Sequence, residues 1–315
     1  MKKIDYSDAT PDVVITAHDS DGQPTTILDA AGTHTLTYDL LGQIESESIA
    51  GGILAGVNLN PEYTTAGVKG RLKEWNLTGS GGLALQHTYG YETGTDRLKT
   101  VSDGASTATY DYLGSSDWLN TTTVAYNGTT ALVTTRTPDT ANRLASIVST
   151  RGAQTIESHA WTYDPVTGQR TRDTLADNKY WQYGYNGRGE VESGVKKQAD
   201  DNTQPGYGYG YSYDSIGNRL ATTTNGRTAA YVPNSLNQYN QRDVAGAVDV
   251  TGEIEGANAQ VQVSAGGGPK VWATRTGTAF NAVVPVDNSQ SAQYPALYCR
   301  AILPRIKISE NDMDK

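Results

Sequence analysis

The sequence predicts an all-β protein, with a strip of β-hairpins over residues 1–243, a small β-sandwich-like module over 244–300 and a tail over 301–315. Three observations point to it. An aromatic-Asp-turn-Gly unit recurs along the chain, most sharply as Tyr213-Asp214-Ser215-Ile216-Gly217-Asn218-Arg219-Leu220. The 315 residues include 34 Gly, 20 Tyr and one Phe, and Thr is abundant; Tyr and Thr suit strands while Gly punctuates turns. From about Val244 the pattern changes to strict alternation, as in Asn258-Ala259-Gln260-Val261-Gln262-Val263, which marks half-buried strands.

Each copy of the unit has the same physical logic. A strand ends on an aromatic, the short Asp side chain accepts hydrogen bonds from turn amides, Gly supplies positive φ, and a second strand returns. Calcium or other carboxylate chemistry is the alternative use of the repeated Asp. A lone hairpin is marginal in water, so repetition at intervals in the twenties argues for stacked units.

Taken in order, residues 13–17 form a strand, 18–23 a turn, 25–28 its return and 29–32 a second turn, before the first full copy at Tyr38, Asp39 and Gly42. Residues 51–61 loosen into Gly-rich sequence expected to form a longer loop. Strand pattern returns at 70–75 and 83–89, with a turn over 90–98. A further copy is expected at Tyr110, Asp111 and Gly114, and a worn one over 138–144 that has lost both Tyr and Gly. Tyr163, Asp164 and Gly168 mark a clear copy in which Pro165 suits the first turn corner. Asn186 replaces Asp in the next, a polar insertion spans 196–206, and the best copy follows at Tyr213, Asp214, Gly217, Asn218 and Arg219. The last, over 231–239, is weak. Tyr207, Tyr209, Tyr211 and Tyr213 are spaced by two, which puts their rings on one face of a strand, with Gly208 and Gly210 leaving the other nearly bare. Tyr38, Tyr110, Tyr163 and Tyr213 read as an inter-hairpin ladder or as exposed sugar-stacking platforms. Tyr207, Tyr209 and Tyr211 are the candidate stacking residues for a glycan or surface receptor, against the alternative of a buried aromatic face.

The copies at Tyr38, Tyr110, Tyr163 and Tyr213 resemble the tyrosine-aspartate (YD) repeat of the rearrangement-hotspot family, over about residues 15–240. The resemblance implies a spiral of β-hairpins forming a strip that can wind into a shell around a cargo domain in bacterial polymorphic toxins, or part of a large adhesive surface protein. It further implies a secreted or cell-surface location, and as partners the rest of a longer polypeptide or an enclosed cargo domain. No Asp-Pro-x-Gly-Leu segment of the toxin type is present, and residues 248–263 look like the start of a bacterial immunoglobulin-like segment.

Other chemistry is poorly supplied. His18, His34, His87 and His159 lack metal-site spacing, so no metal or cofactor is expected. Cys299 stands alone, which removes a disulfide framework and offers no nucleophile-base pair. No Gly-x-Ser-x-Gly elbow occurs, and Gly266-Gly267-Gly268-Pro269-Lys270 lacks the ending of a phosphate loop. The formal charge of -9 and the dispersed Arg97, Arg143, Arg170, Arg188 and Arg219 argue against nucleic acid. Those arginines follow turns, where each can lie over a neighbouring hairpin and pair with its Asp. No apolar stretch has the length of a membrane helix, and no secretory signal follows Met1-Lys2-Lys3, so the chain reads as a fragment of a longer polypeptide. The leading expectation is a non-enzymatic scaffold. A carbohydrate- or receptor-binding adhesin segment and a self-cleaving toxin-processing fragment are the alternatives.

Overall fold

The computed structural model describes residues 2–8, 10–65, 69–114, 116–244, 246–256 and 258–303; residues 304–315, most of the expected tail, lie outside the described residues. The protein is almost entirely β. Twenty-one strands belong to one antiparallel sheet, and six more form two three-stranded sheets. Among the described residues the helical content is one 3-10 turn at Ser80–Gly82. The chain divides into two compact units, Met1–Asn142 with Ile147–Ile156, and Arg143–Ser146 with Glu157–Lys315.

In the first unit each strand pairs with its successor in the sequence. Val13–His18, Pro24–Asp29, Gly32–Tyr38, Ile44–Ala50, Asn58–Tyr63 and Leu72–Thr78 form one run of hairpins. Ala84–Tyr91, Leu98–Ser102, Ser106–Tyr112, Leu119–Tyr126 and Thr129–Pro138 continue it. The loop expected over 51–61 is shorter than that, because Asn58–Tyr63 is a strand with Pro61 opposite Trp75. Proline is tolerated there because pairing to the preceding strand ends at Asn58 and Leu59, so no ladder donor is required of it. Leu36 and Ile49 are the buried apolar side chains among the described residues of this unit; most others on the strands are only half-buried. The unit is therefore held chiefly by its ladder and by contacts between turns, since it has little hydrophobic core.

In the second unit the hairpins continue through Arg170–Leu175, Tyr180–Tyr185, Val191–Lys197, Thr203–Tyr213, Arg219–Thr224, Arg227–Pro233 and Tyr239–Arg242. The polar insertion over 196–206 closes a hairpin in which Lys197 pairs with Thr203. Beyond it, Ala279–Pro285 lies between Ala247–Glu253 and Thr274–Thr276, and Gln260–Ala265 lies between Val271–Trp272 and Leu297–Ile302. Alternate side chains Val261 and Val263 of one sheet meet Phe280, Ala282 and Val284 of the other in the protein's main apolar cluster. The sheet that contains Ala247–Glu253 rests on the preceding hairpins through that strand. Tyr207 donates its hydroxyl to Thr251 Oγ1 at 3.3 Å, Lys179 pairs with Glu253 at 2.6 Å and Arg227 pairs with Asp249. Gly206, at φ +86°, admits this approach, because a Cβ there would lie 2.4 Å from Thr251 Cγ2.

Candidate functional site

The repeated turn is built from one side chain. Asp39 Oδ1 accepts from the amides of Leu41 (2.8 Å) and Gln43 (2.9 Å), and Asp214 Oδ1 accepts from Ile216 (3.0 Å) and Asn218 (2.8 Å). Asp19, Asn186 and Asn234 do the same, each bonding the residues two and four positions on. Asp164, whose turn is one residue longer, holds Val166 and Thr167 at 2.9 and 2.7 Å. The amides donated by Thr167 and Val166 hold the Asp164 carboxyl below its ordinary pKa, and the Asn218 carboxamide does the same for Asp214. Gly42 and Gly217 take φ +77° and +90° three residues after the cap, and Gly168 takes +73°. The worn copy keeps this shape without glycine: Asp139 Oδ1 accepts from Ala141 at 2.8 Å, and Asn142 adopts φ +58°.

A second feature links one repeat to the next. The hydroxyls of Tyr38, Tyr63, Tyr91, Tyr112, Tyr163, Tyr185 and Tyr213 donate to the carbonyls of Pro24, Ile44, Leu72, Leu98, Leu144, Arg170 and Val191, at 2.6 to 3.1 Å. Each acceptor is the residue that opens the returning strand of the preceding hairpin. Every one of these tyrosines follows a shift in strand register, as between Thr37 and Tyr38 or Ser212 and Tyr213. A β-bulge re-aims a side chain, and here it directs the ring toward the neighbouring unit. Burial raises the pKa of Tyr38, Tyr63 and Tyr91, which keeps those hydroxyls protonated as donors.

The arginines complete the junction by lying over the neighbouring hairpin, with a tyrosine ring as the partner that the sequence reading did not name. Arg71, Arg97 and Arg143 place their guanidinium carbons 5.2, 4.5 and 4.3 Å from the ring centroids of Tyr91, Tyr112 and Tyr163 in the following repeat. Each precedes the residue whose carbonyl that same tyrosine uses. At Arg97 and Arg188 the expected reach to a neighbouring Asp carboxylate is met instead by bonds to the carbonyls of Ser116 and Asp214, and Arg71 donates likewise to Asp96 O. Glutamines play this part elsewhere, Gln23 reaching Gly42 O at 2.9 Å, Gln43 reaching Gly70 O at 2.6 Å and Gln169 reaching Gly189 O at 3.1 Å.

One copy stands in a different register from that expected. Asp111 lies inside the strand Ser106–Tyr112 with its carboxylate on Lys99, and Tyr110 precedes the bulge. Tyr112 makes the inter-repeat bond instead, and Leu113 takes the turn position, its amide bonded to Trp118 O at 2.8 Å. Gly114 has φ +54° directly after Leu113 rather than three residues on. Sequence reasoning also passed over Tyr63, whose turn opens on Thr64 in place of Asp, and placed the turn over 90–98, which opens on Glu92, without marking Tyr91 as its repeat tyrosine. The signal that could have found them is the Arg-Leu pair at 71–72, 97–98 and 143–144, placed alike in each unit.

Tyr207, Tyr209 and Tyr211 are half-buried, with their rings in contact with other side chains. Trp181 stacks on Tyr209 with centroids 6.0 Å apart and meets Tyr207 edge-on at 6.0 Å. Lys196 lies over Tyr207 at 5.1 Å and Arg219 over Tyr211 at 4.9 Å. Among the described residues, no group of three or more His, Cys, Asp or Glu is arranged to hold a metal ion, and no helix is long and apolar enough to cross a membrane.

No family model matches the sequence, and no curated protein matches it. Among solved structures, the chain is similar to crystal structures of TcdB2-TccC3 (14% identity over 88% of this chain and 16% of that one, TM-score 0.42) and of TcdB2-TccC3-Cdc42 (14%, 88%, 16% and 0.43). It also matches a porin-like protein from Bacteroides uniformis at 15% identity, covering 70% of this chain and 92% of that one, with TM-score 0.24. The chain spans about one-sixth of the length of the TcdB2-TccC3 chains it matches.

Proposed function

We propose that this chain is a non-enzymatic scaffold, a segment of YD-type repeat from a larger secreted or surface bacterial polypeptide, in which the part over 244–300 is a separate β-module seated on the repeats. The observation that carries this is the tyrosine hydroxyl bond to the preceding hairpin, made by seven tyrosines with the same geometry. In this reading the repeated residues serve the strip itself, and the Asp and Gly of each turn exist to place the next tyrosine. The partners are the remaining repeats of the parent polypeptide and the cargo domain they enclose.

Interchangeable units make a direct test possible. Excising residues 19–38 joins His18 to Asp39, so that one whole repeat is removed and the turn that follows is kept. A scaffold of equivalent units keeps its far-ultraviolet β signal and a cooperative urea transition after that excision, with the amplitude reduced by one hairpin. Collapse of the shortened chain to a random-coil spectrum would overturn the scaffold reading.

A further inference from the structure

Three Asn-Gly pairs occur in the chain, at 127–128, 186–187 and 225–226, and all three lie in turns. Two of them share one backbone arrangement. Asn127-Gly128 and Asn225-Gly226 are two-residue hairpin connections, closed by the pairs Tyr126↔Thr129 and Thr224↔Arg227. Their φ angles are +47° and +74° in the first and +49° and +82° in the second. In both, the Asn amide donates to a carbonyl outside its own hairpin, Ala105 O at 2.7 Å and Gly208 O at 2.8 Å. Both glycines face open space.

The side chains differ. Asn225 is half-buried, and its carboxamide is held at both ends: Oδ1 accepts from Gly208 N at 2.9 Å, and Nδ2 donates to Gly206 O at 3.0 Å. Asn186 is likewise engaged, accepting from Arg188 N and Glu190 N at 3.0 and 3.1 Å and donating to the Glu190 carboxylate at 2.6 Å. Asn127 is exposed; its backbone amide is hydrogen-bonded, and its carboxamide has no hydrogen bond among the described residues.

We infer that Asn127-Gly128 is a site of spontaneous covalent change, the succinimide-forming deamidation of asparagine, and that the other two pairs are protected by their side-chain bonds. The Gly128 amide nitrogen, having lost its proton to solvent base, attacks Cγ of Asn127. The new N–C bond closes a five-membered imide, the bond from Cγ to the carboxamide nitrogen breaks, and ammonia leaves. Water then opens the imide at either carbonyl, leaving an aspartyl residue or an isoaspartyl linkage; the net change is one water consumed and one ammonia released. Glycine permits this because the following residue has no Cβ to obstruct the attack. At Asn225 the same step first requires two hydrogen bonds to break, which removes the carboxamide from reach of its neighbour for most of the time. The isoaspartyl form adds a methylene to the main chain in a two-residue connection and places a negative charge there, so it disturbs the register between Leu119–Tyr126 and Thr129–Pro138.

The full chain is incubated at 37 °C and mildly alkaline pH and sampled over weeks, and its peptides are followed by mass and by retention for conversion of amide to acid. The Asn127 peptide is expected to convert several times faster than the Asn225 and Asn186 peptides, as a pair of isomeric products. In parallel samples held in strong urea the three rates are expected to converge, because the bonds that separate them are gone. Gly128→Ala, which slows imide closure, is expected to abolish the fast conversion. Equal rates at Asn127 and Asn225 in the folded protein would overturn the inference, and so would a difference that persisted unchanged in urea.

Discussion

A single hydroxyl carries each inter-repeat contact, so its contribution can be measured by removing that atom alone. Tyr91→Phe and Tyr163→Phe each keep the ring under its arginine and delete the bond to Leu72 O or Leu144 O. Each is expected to lower stability by about 1 kcal/mol in urea unfolding, the net worth of one hydrogen bond. His34 offers a second probe at this scale. Its ring lies between Glu47 at 2.6 Å and Asp29 at 3.0 Å. Burial opposes its charge, and the bonds to Glu47 and Asp29 outweigh that and raise its pKa above the ordinary 6.5. A raised pKa means the stabilisation is complete below pH 6.5 and is lost as pH rises through the folded value. Urea midpoints are therefore expected to fall as pH rises from 6.5 through the folded value, and His34→Gln is expected to flatten that slope.

At the scale of the hairpin, the Asp cap and the left-handed residue form one device. Gly42→Ala forces a side chain into φ +77°, with Gln23 Nε2 3.1 Å from the new Cβ, and is expected to cost roughly 1 to 2 kcal/mol. Asn142→Gly, at φ +58°, is expected to be neutral or slightly stabilising, and thermal melts of the pair should move in opposite directions or differ sharply in size. These turns were legible in the sequence at Asp39, Asp164 and Asp214, where the Asp caps the turn and a glycine takes the left-handed position. They were hidden where Thr64 or Leu113 opens the turn, because the turn's backbone bonds form without the carboxylate. The bulge before each tyrosine was hidden everywhere. It arises from pairing register, which depends on the partner strand and leaves no mark on the residues that shift. That is why Tyr110 and Asp111, a better match in letters, gave way to Tyr112 and Leu113.

At the scale of the whole molecule, alternation in the last part of the sequence announced half-buried strands of a small β-module but not what that module rests on. Asp249, Thr251 and Glu253 are spaced by two, and each meets a residue of the preceding hairpins: Arg227, Tyr207 and Lys179. None of those contacts could be read from a strand pattern, since they join positions tens of residues apart. A cycle of Arg227→Ala, Asp249→Ala and the double variant is expected to show a coupling of about 1 to 2 kcal/mol, the worth of a charge-assisted hydrogen bond. Burial raises the Asp249 pKa, and the bonds from Arg227 and Asn225 outweigh it, so the carboxyl titrates below its ordinary 3.8. The contribution is then present above pH 3.8 and lost as pH falls through the lowered value, so the coupling should vanish in acid.

Each tyrosine donates backward, to a carbonyl that precedes it in the chain by 14 to 22 residues. During synthesis the acceptor has therefore always left the ribosome before its donor, and a nascent hairpin needs nothing still untranslated to fasten itself. Stalled chains of increasing length are expected to gain protease resistance in steps, one per tyrosine, beginning with Tyr38. Resistance arriving all at once at full length would mean that assembly waits for the finished polypeptide.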